Sequence, residues 1–327
     1  MNANEFCRAL TPRFVTVGGV RTHYIECGQG RPVVLLHGLS ASFWNWWRNI
    51  PALSKQFKII AYDLKGCGRS DKPRDTYTTT ACIAQLTGLL DHLGIERAAF
   101  VGHSMGARIA LHLAIEAQHR VDALVLVSPS CYPQTVGRAV RWLILPGIGE
   151  VYTWLLYTGR SNDLVRRALQ YCTHPQTTVS DEDVYWNMIS GAEQKRHLAR
   201  TYLSYGRHMR FHLPWELAQR YSEINVPALV ISGNDDRFVP KEHVVQLAQT
   251  LPQAQLALWP DTGHLPHTEH TERFNTLVSA FLNDCDPTHR HSRMWFSRLI
   301  SRDRTRKNKH RYVKGVQKEK LFGVANS

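Results

Sequence analysis

Gly102-His103-Ser104-Met105-Gly106 follows an apolar run at 98–101 and opens a stretch, 104–118, with apolar residues at helical spacing. A serine at a sharp strand-to-helix turn of this kind can serve as a nucleophile. The glycines at 102 and 106 remove side chains that would clash across the turn. The Ser104 hydroxyl is then exposed, and the Met105 N–H, at a helix N-terminus, is aimed at the same point. A serine hydroxyl attacks only when a base takes its proton, and the base needs a carboxylate to hold its tautomer. Both partner types lie far downstream. Asp235 and Asp236 follow an apolar run at 228–231, and His264 sits in Asp261-Thr262-Gly263-His264 after another at 256–259. The chemistry such a set performs is attack on a carbonyl, acyl transfer to the serine and hydrolysis by water.

His264, His267 and His270 are spaced three and three, which would suit one face of a helix holding a metal. Pro266 interrupts the first interval, and no Asp, Glu or Cys set supplies matching ligand spacing. No metal and no cofactor is expected.

The elements that must position these residues are legible as periodicity. Short runs at 33–36, 58–62, 98–101, 123–127, 228–231 and 256–259 are almost continuously apolar, as strands buried on both faces of a parallel sheet are. Helical spacing fills 78–93, 104–118, 240–251 and 269–282. The alternation predicts an α/β fold with helices on both faces. Runs at 13–17 and 21–26, separated by Gly18-Gly19-Val20, predict an N-terminal β-hairpin. From 132 to 224 no clear strand occurs, and aromatic-rich helical segments predict an insertion.

Leu35-Leu36-His37-Gly38-Leu39, Asp63-Leu64-Lys65-Gly66-Cys67-Gly68-Arg69-Ser70-Asp71 and Gly102-His103-Ser104-Met105-Gly106 occur in that order. Together they resemble the α/β-hydrolase superfamily over roughly residues 13–284. The resemblance implies a mostly parallel eight-stranded sheet with a helical cap inserted before the acid-bearing strand. It implies a catalytic Ser104, an acid at Asp236 in preference to Asp235, and a base at His264. It also implies backbone oxyanion donors at Leu39 and Met105. The stretch from Asp63 to Asp71 would be a structural loop. The implied organisation is a hydrolase core from 1–131 and 225–285, a cap at 132–224 and a basic tail, expected to be flexible, at 286–327.

A serine rather than an aspartate at the elbow disfavours dehalogenase and epoxide hydrolase chemistry. The leading expectation is a serine hydrolase cleaving a carboxylic ester, thioester or lactone of a small apolar substrate. The alternatives are a C–C bond hydrolase of a vinylogous diketone, a cofactor-free perhydrolase and, from another class, a non-catalytic ligand-binding protein. Aromatics of the insertion, among them Trp142 and Trp154, would pack the cap helices together or line an apolar pocket, and Arg138, Arg141, Arg207 and Arg210 read as solvated surface residues in preference to partners of a substrate carboxylate.

Charge separates this body from its C-terminal end. The chain of 327 residues carries a formal charge of +13, but residues 286–327 alone hold 12 Lys+Arg against 3 Asp+Glu. The basic excess is not a stripe over the fold, which disfavours nucleic acid as a partner. The segment from His289 to Ile300 is amphipathic if helical and would suit peripheral contact with an anionic membrane. No run of about 18 apolar residues occurs and the N-terminus lacks an apolar signal core. Seven cysteines without a C-x-x-C pair predict free thiols in a reducing, cytoplasmic compartment. Oligomeric state is not legible.

Overall fold

A computed structural model describes residues 2–39, 41–74, 77–132, 162–194 and 215–286, with positions 142, 145, 147–151, 201 and 203–205. Eight strands form one sheet: β1 (Arg13–Val17), β2 (Val20–Cys27), β3 (Pro32–Leu36), β4 (Lys58–Tyr62), β5 (Ala98–His103), β6 (Val121–Val127), β7 (Ala228–Gly233) and β8 (Ala254–Trp259). Their order is β1-β2-β4-β3-β5-β6-β7-β8. β1 and β2 pair antiparallel, β2 meets β4 antiparallel, and every other pairing is parallel.

The hairpin turns on Gly18 and Gly19 alone, with φ of +57° and +72°. Two positive values in succession need residues without a Cβ, and that geometry matches the twist of the flanking strands. Val20 therefore belongs to β2 and pairs with Val17.

The near-continuous apolar runs have a clear physical basis. Val34, Leu36, Ile60, Phe100, Leu124 and Val230 face one core with the helices Thr79–His92, Met105–Glu116 and Lys241–Thr250. Val33, Leu35, Ile59, Ala99, Val101, Val125 and Leu229 face a second core, with Trp46, Leu53, Phe274 and Phe281. Successive side chains of a strand point to opposite faces, so each run must be apolar throughout. Each fully buried Val, Leu, Ile or Phe among them contributes roughly 1.5–3 kcal/mol.

Between β6 and β7, the described residues form helices and no strand: Asn162–Cys172, Asp181–Gln194 and Trp215–Gln219 are the regular ones. The helix Asp181–Gln194 docks on the 3-10 turn Phe43–Trp46 that follows β3. Trp186 stacks on Trp44 with ring centroids 4.0 Å apart. Beside it, Arg48 forks onto Asp183 at 3.0 and 2.9 Å. Arg138, Arg141, Arg207, Arg210 and Trp154 lie outside the described residues, as does the chain beyond 286. Trp142 is described and largely solvent-exposed.

The Asp63 loop is held by its own buried carboxylate. Asp63 Oδ1 accepts from Phe43 N–H at 2.8 Å, and Oδ2 accepts from Arg69 N–H and His23 Nδ1–H, each at 2.8 Å. Burial by itself would raise this carboxyl, but the His23 contact and the other donors outweigh it and hold Asp63 below its ordinary value. The network fixes the turn at 43, downstream of the His37-Gly38-Leu39 segment. Its role is architectural.

All seven cysteines are free. Burial pushes the thiols of Cys7, Cys131, Cys172 and Cys285 up to about 12, so they are packing residues and not nucleophiles. Among the described residues no helix is long and apolar enough to cross a membrane.

Candidate active site

Ser104 sits between the last residue of β5 and the first of the helix Met105–Glu116, with φ +52° and ψ −108°. A non-glycine residue at such a φ is strained and persists only where its surroundings hold it. They do so from both sides. Ser104 N–H donates to the Val127 carbonyl at 2.8 Å, and its carbonyl accepts from Ser130 N–H at 3.3 Å. Ser130 is in turn gripped by the buried Arg108, whose Nε donates to its carbonyl at 2.9 Å and whose guanidinium donates to its hydroxyl at 3.0 Å. Burial lowers the Arg108 pKa only to about 10, so it stays charged at neutral pH. A Cβ on Gly106 would lie 2.3 Å from the Leu36 carbonyl, and one on Gly102 would lie 2.6 Å from the Ala107 nitrogen. The elbow therefore needs glycine at both places, as its sequence indicates.

The turn carrying Leu39 passes directly over this elbow. A Cβ on Gly38 would stand 3.5 Å from Ser104 Cβ and 2.8 Å from His103 Nδ1. The turn's shape is set by His37, whose Nδ1–H donates to the Gly38 carbonyl at 2.7 Å while Nε2 accepts from Leu64 N–H at 3.0 Å. Leu39 is partly buried against the core, and Met105 is the first residue of the helix Met105–Glu116. The opening N–H groups of a helix lack intrahelical partners, so the Met105 amide is free to bind an anion.

His264 and Asp236 meet. His264 Nδ1–H donates to Asp236 Oδ2 at 2.8 Å, and both side chains are nearly buried. The other carboxylate oxygen accepts from Phe238 N–H at 2.8 Å and Val239 N–H at 2.9 Å. Asp235 is turned away. Its N–H is tied to the Thr262 carbonyl at 2.9 Å, and its carboxylate is half-exposed. The His264 ring also lies 4.8 Å from His103 and 4.9 Å from Phe238, between centroids.

His103, next to the serine, carries no pattern of its own in the sequence. Its Nε2–H donates to the His264 carbonyl at 3.0 Å, and its Nδ1 faces Asn45 Nδ2 at 3.4 Å. Burial first, and then the neighbouring His267 and His264, hold its pKa well below the ordinary histidine value. His267 is buried against Trp46 and His103, with centroids 4.7 and 4.8 Å away, and burial pushes it down to about 3. Both are neutral at physiological pH.

The three histidines at 264, 267 and 270 are engaged separately. His270 Nε2 pairs with the Thr262 hydroxyl at 2.9 Å. Among the described residues, His174, Asp235 and Asp261 bring candidate ligand atoms within 4.8 Å of one another. His174 Nδ1, however, accepts from Gln176 N–H at 3.3 Å. That places the ring proton on Nε2, which faces Asp235 at 4.0 Å as a donor. Asp235 and Asp261 are exposed and His174 is half-buried, so the trio lies at the surface beside the site.

A family model described as the alpha/beta hydrolase fold matches residues 31–271. The chain belongs to the α/β-hydrolase superfamily and is an enzyme of the hydrolase class. It is 32% identical over 292 residues to a 2-hydroxy-6-oxononadienedioate/2-hydroxy-6-oxononatrienedioate hydrolase of Comamonas testosteroni, covering 85% of this chain and 99% of that protein. It is 30% identical over 291 residues to a 2-hydroxy-6-oxo-6-phenylhexa-2,4-dienoate hydrolase of Burkholderia cepacia, covering 85% of this chain and 98% of that one. Among solved structures, a meta-cleavage product hydrolase of Pseudomonas fluorescens IP01 superposes with a TM-score of 0.68 at 27% identity, covering 84% of this chain and 98% of the other.

Proposed function

We propose that this protein hydrolyses a C–C bond in a 2-hydroxy-6-oxo-2,4-dienoate, with Ser104 as nucleophile, His264 as base and Asp236 as its carboxylate. The observation that carries the reading is what the relatives' names specify. Relatives 30–33% identical, aligned over 80–85% of this chain, are named for 2-hydroxy-6-oxo-dienoates or 2-hydroxymuconate semialdehyde. Such a molecule has no ester, thioester or lactone. The bond that water can split is the one between C5 and the C6 carbonyl. The ester expected from the sequence thus gives way to the C–C alternative, and the substrate is a small ring-cleavage-type keto acid.

The chemistry suits the site. Moving the 2-hydroxyl proton to C5 makes C2 a ketone and C5 a saturated carbon. Ser104 Oγ, losing its proton to His264, adds to C6. The Leu39 and Met105 N–H groups hold the oxyanion, each worth roughly 2.7–4 kcal/mol in the transition state. Collapse breaks the C5–C6 bond, its electrons flow through the C3–C4 double bond into the C2 carbonyl, and the C2 oxygen takes the proton that His264 had removed from Ser104. That leaves a 2-hydroxypenta-2,4-dienoate and an acyl-Ser104. Water, deprotonated by His264, releases the carboxylic acid and restores the serine. Asp236 keeps the Nδ1–H in place, so Nε2 is the nitrogen that takes up and returns each proton.

The test is turnover of a 2-hydroxy-6-oxo-dienoate, followed by loss of its visible absorbance, alongside p-nitrophenyl esters. Dienoate turnover that disappears in Ser104→Ala supports the proposal. Ester turnover with an untouched dienoate would return the reaction to ester hydrolysis.

A further inference from the structure

The loop that carries His264 is held from three directions, and two of them involve the segment 172–177 between the helices Asn162–Cys172 and Asp181–Gln194. His264 N–H donates to the Cys172 carbonyl at 2.7 Å. Its carbonyl accepts from His103. The third hold is a single carboxylate. Glu269 Oε1 accepts from Gly263 N–H at 2.9 Å and Leu265 N–H at 3.3 Å, the residues on either side of His264. Glu269 Oε2 accepts from His174 N–H at 2.7 Å and from the Thr177 hydroxyl at 2.9 Å.

One side chain thus satisfies donors from two parts of the chain about 90 residues apart. The approach is close: a Cβ on Gly263 would lie 2.6 Å from the Cys172 carbonyl oxygen. If segment 172–177 withdrew, His264 N–H would lose its acceptor and half of the Glu269 carboxylate would lose its donors. The base loop and this segment are therefore built as one unit.

We propose that Glu269 is a positioning residue for His264. Its carboxylate ties the base loop to segment 172–177, so that the imidazole is held in register against Asp236 and Ser104 only while that segment is docked. The inference rests on His264 being the base and is independent of which carbonyl substrate is turned over.

The experiment uses a fluorophosphonate probe on the full chain, resolving the maximal labelling rate of Ser104 from the probe's apparent affinity. Glu269→Gln keeps the side chain's size but turns an amide NH2 toward one pair of N–H or O–H donors. Its maximal labelling rate should fall about tenfold or more, with apparent affinity within about twofold of wild type. Thr177→Val, which removes one hydroxyl, should slow labelling about threefold, and the double variant should be no slower than Glu269→Gln alone. A folded Glu269→Gln that labels at the wild-type rate overturns the proposal. So does a loss confined to affinity, or strict additivity of the two substitutions. If Glu269→Gln fails to fold, Thr177→Val decides by itself, and a wild-type rate there overturns the proposal. A wild type that resists the probe overturns the assignment of the base, and this proposal with it; a labelled wild type with an unaffected Glu269→Gln overturns the proposal alone.

Discussion

At the scale of single residues, the site divides two adjacent acids by environment. Asp236 gives one oxygen to His264 and the other to two backbone amides, while Asp235 faces solvent. Asp236→Asn would present an amide to Nδ1 and favour the wrong tautomer. Turnover should fall by up to about 10⁴-fold, whereas Asp235→Asn should stay within about twofold. Single-turnover rates of the two variants check this, and similar losses would undo the assignment. His103→Phe keeps a ring in place but removes the bond to the His264 carbonyl. A hydrogen bond of that kind is worth about 0.5–1.5 kcal/mol, so kcat should fall roughly two- to tenfold with the melting temperature little changed. No residue type announced His103 or Glu269 as part of the machinery. His103 bonds a carbonyl 161 positions away, and Glu269, beside its local bonds to Gly263 and Leu265, reaches an amide 95 positions away; no local pattern encodes the distant pairings.

At the scale of elements, the strands were legible because burial on both faces demands unbroken apolar runs. The helices were legible by their period, and the elbow by its glycines. What local sequence did not convey is how the residues between β6 and β7 meet the core. Trp186, 2% exposed, stacks on Trp44 from the far side of the chain. Trp186→Ala should cost about 3–5 kcal/mol of stability, measured by urea unfolding. A loss under about 1 kcal/mol would mean that the helix Asp181–Gln194 contributes little to docking. Gly263→Ala drives a Cβ into the Cys172 carbonyl. Overpacking of this kind costs about 1–3 kcal/mol, and it should slow turnover more than it raises KM, because the displaced backbone carries His264.

At the scale of the whole molecule, two neutral imidazoles buried behind the site set an acid limit. The folded protein holds His103 and His267 below the ordinary histidine value near 6.5, His267 down to about 3. Stability is therefore complete above that ordinary value. It falls as pH drops below it, because the unfolded chain takes up protons that the folded one refuses. Each histidine adds a slope of up to about 1.4 kcal/mol per pH unit. Urea midpoints between pH 7 and 4.5 should decline, and His267→Phe should decline less steeply. Equal slopes would contradict the burial of a neutral His267. Sequence alone determined the fold class and singled out Ser104 as the proposed nucleophile together with the candidate acids and base, because each depends on local periodicity or on chemistry carried by one residue type. Only the tertiary structure decided which acid His264 meets, and that its loop leans on His103, Glu269 and segment 172–177. Those contacts arise where the β5, β7 and β8 ends converge, and convergence is a property of the folded sheet that no stretch of chain contains.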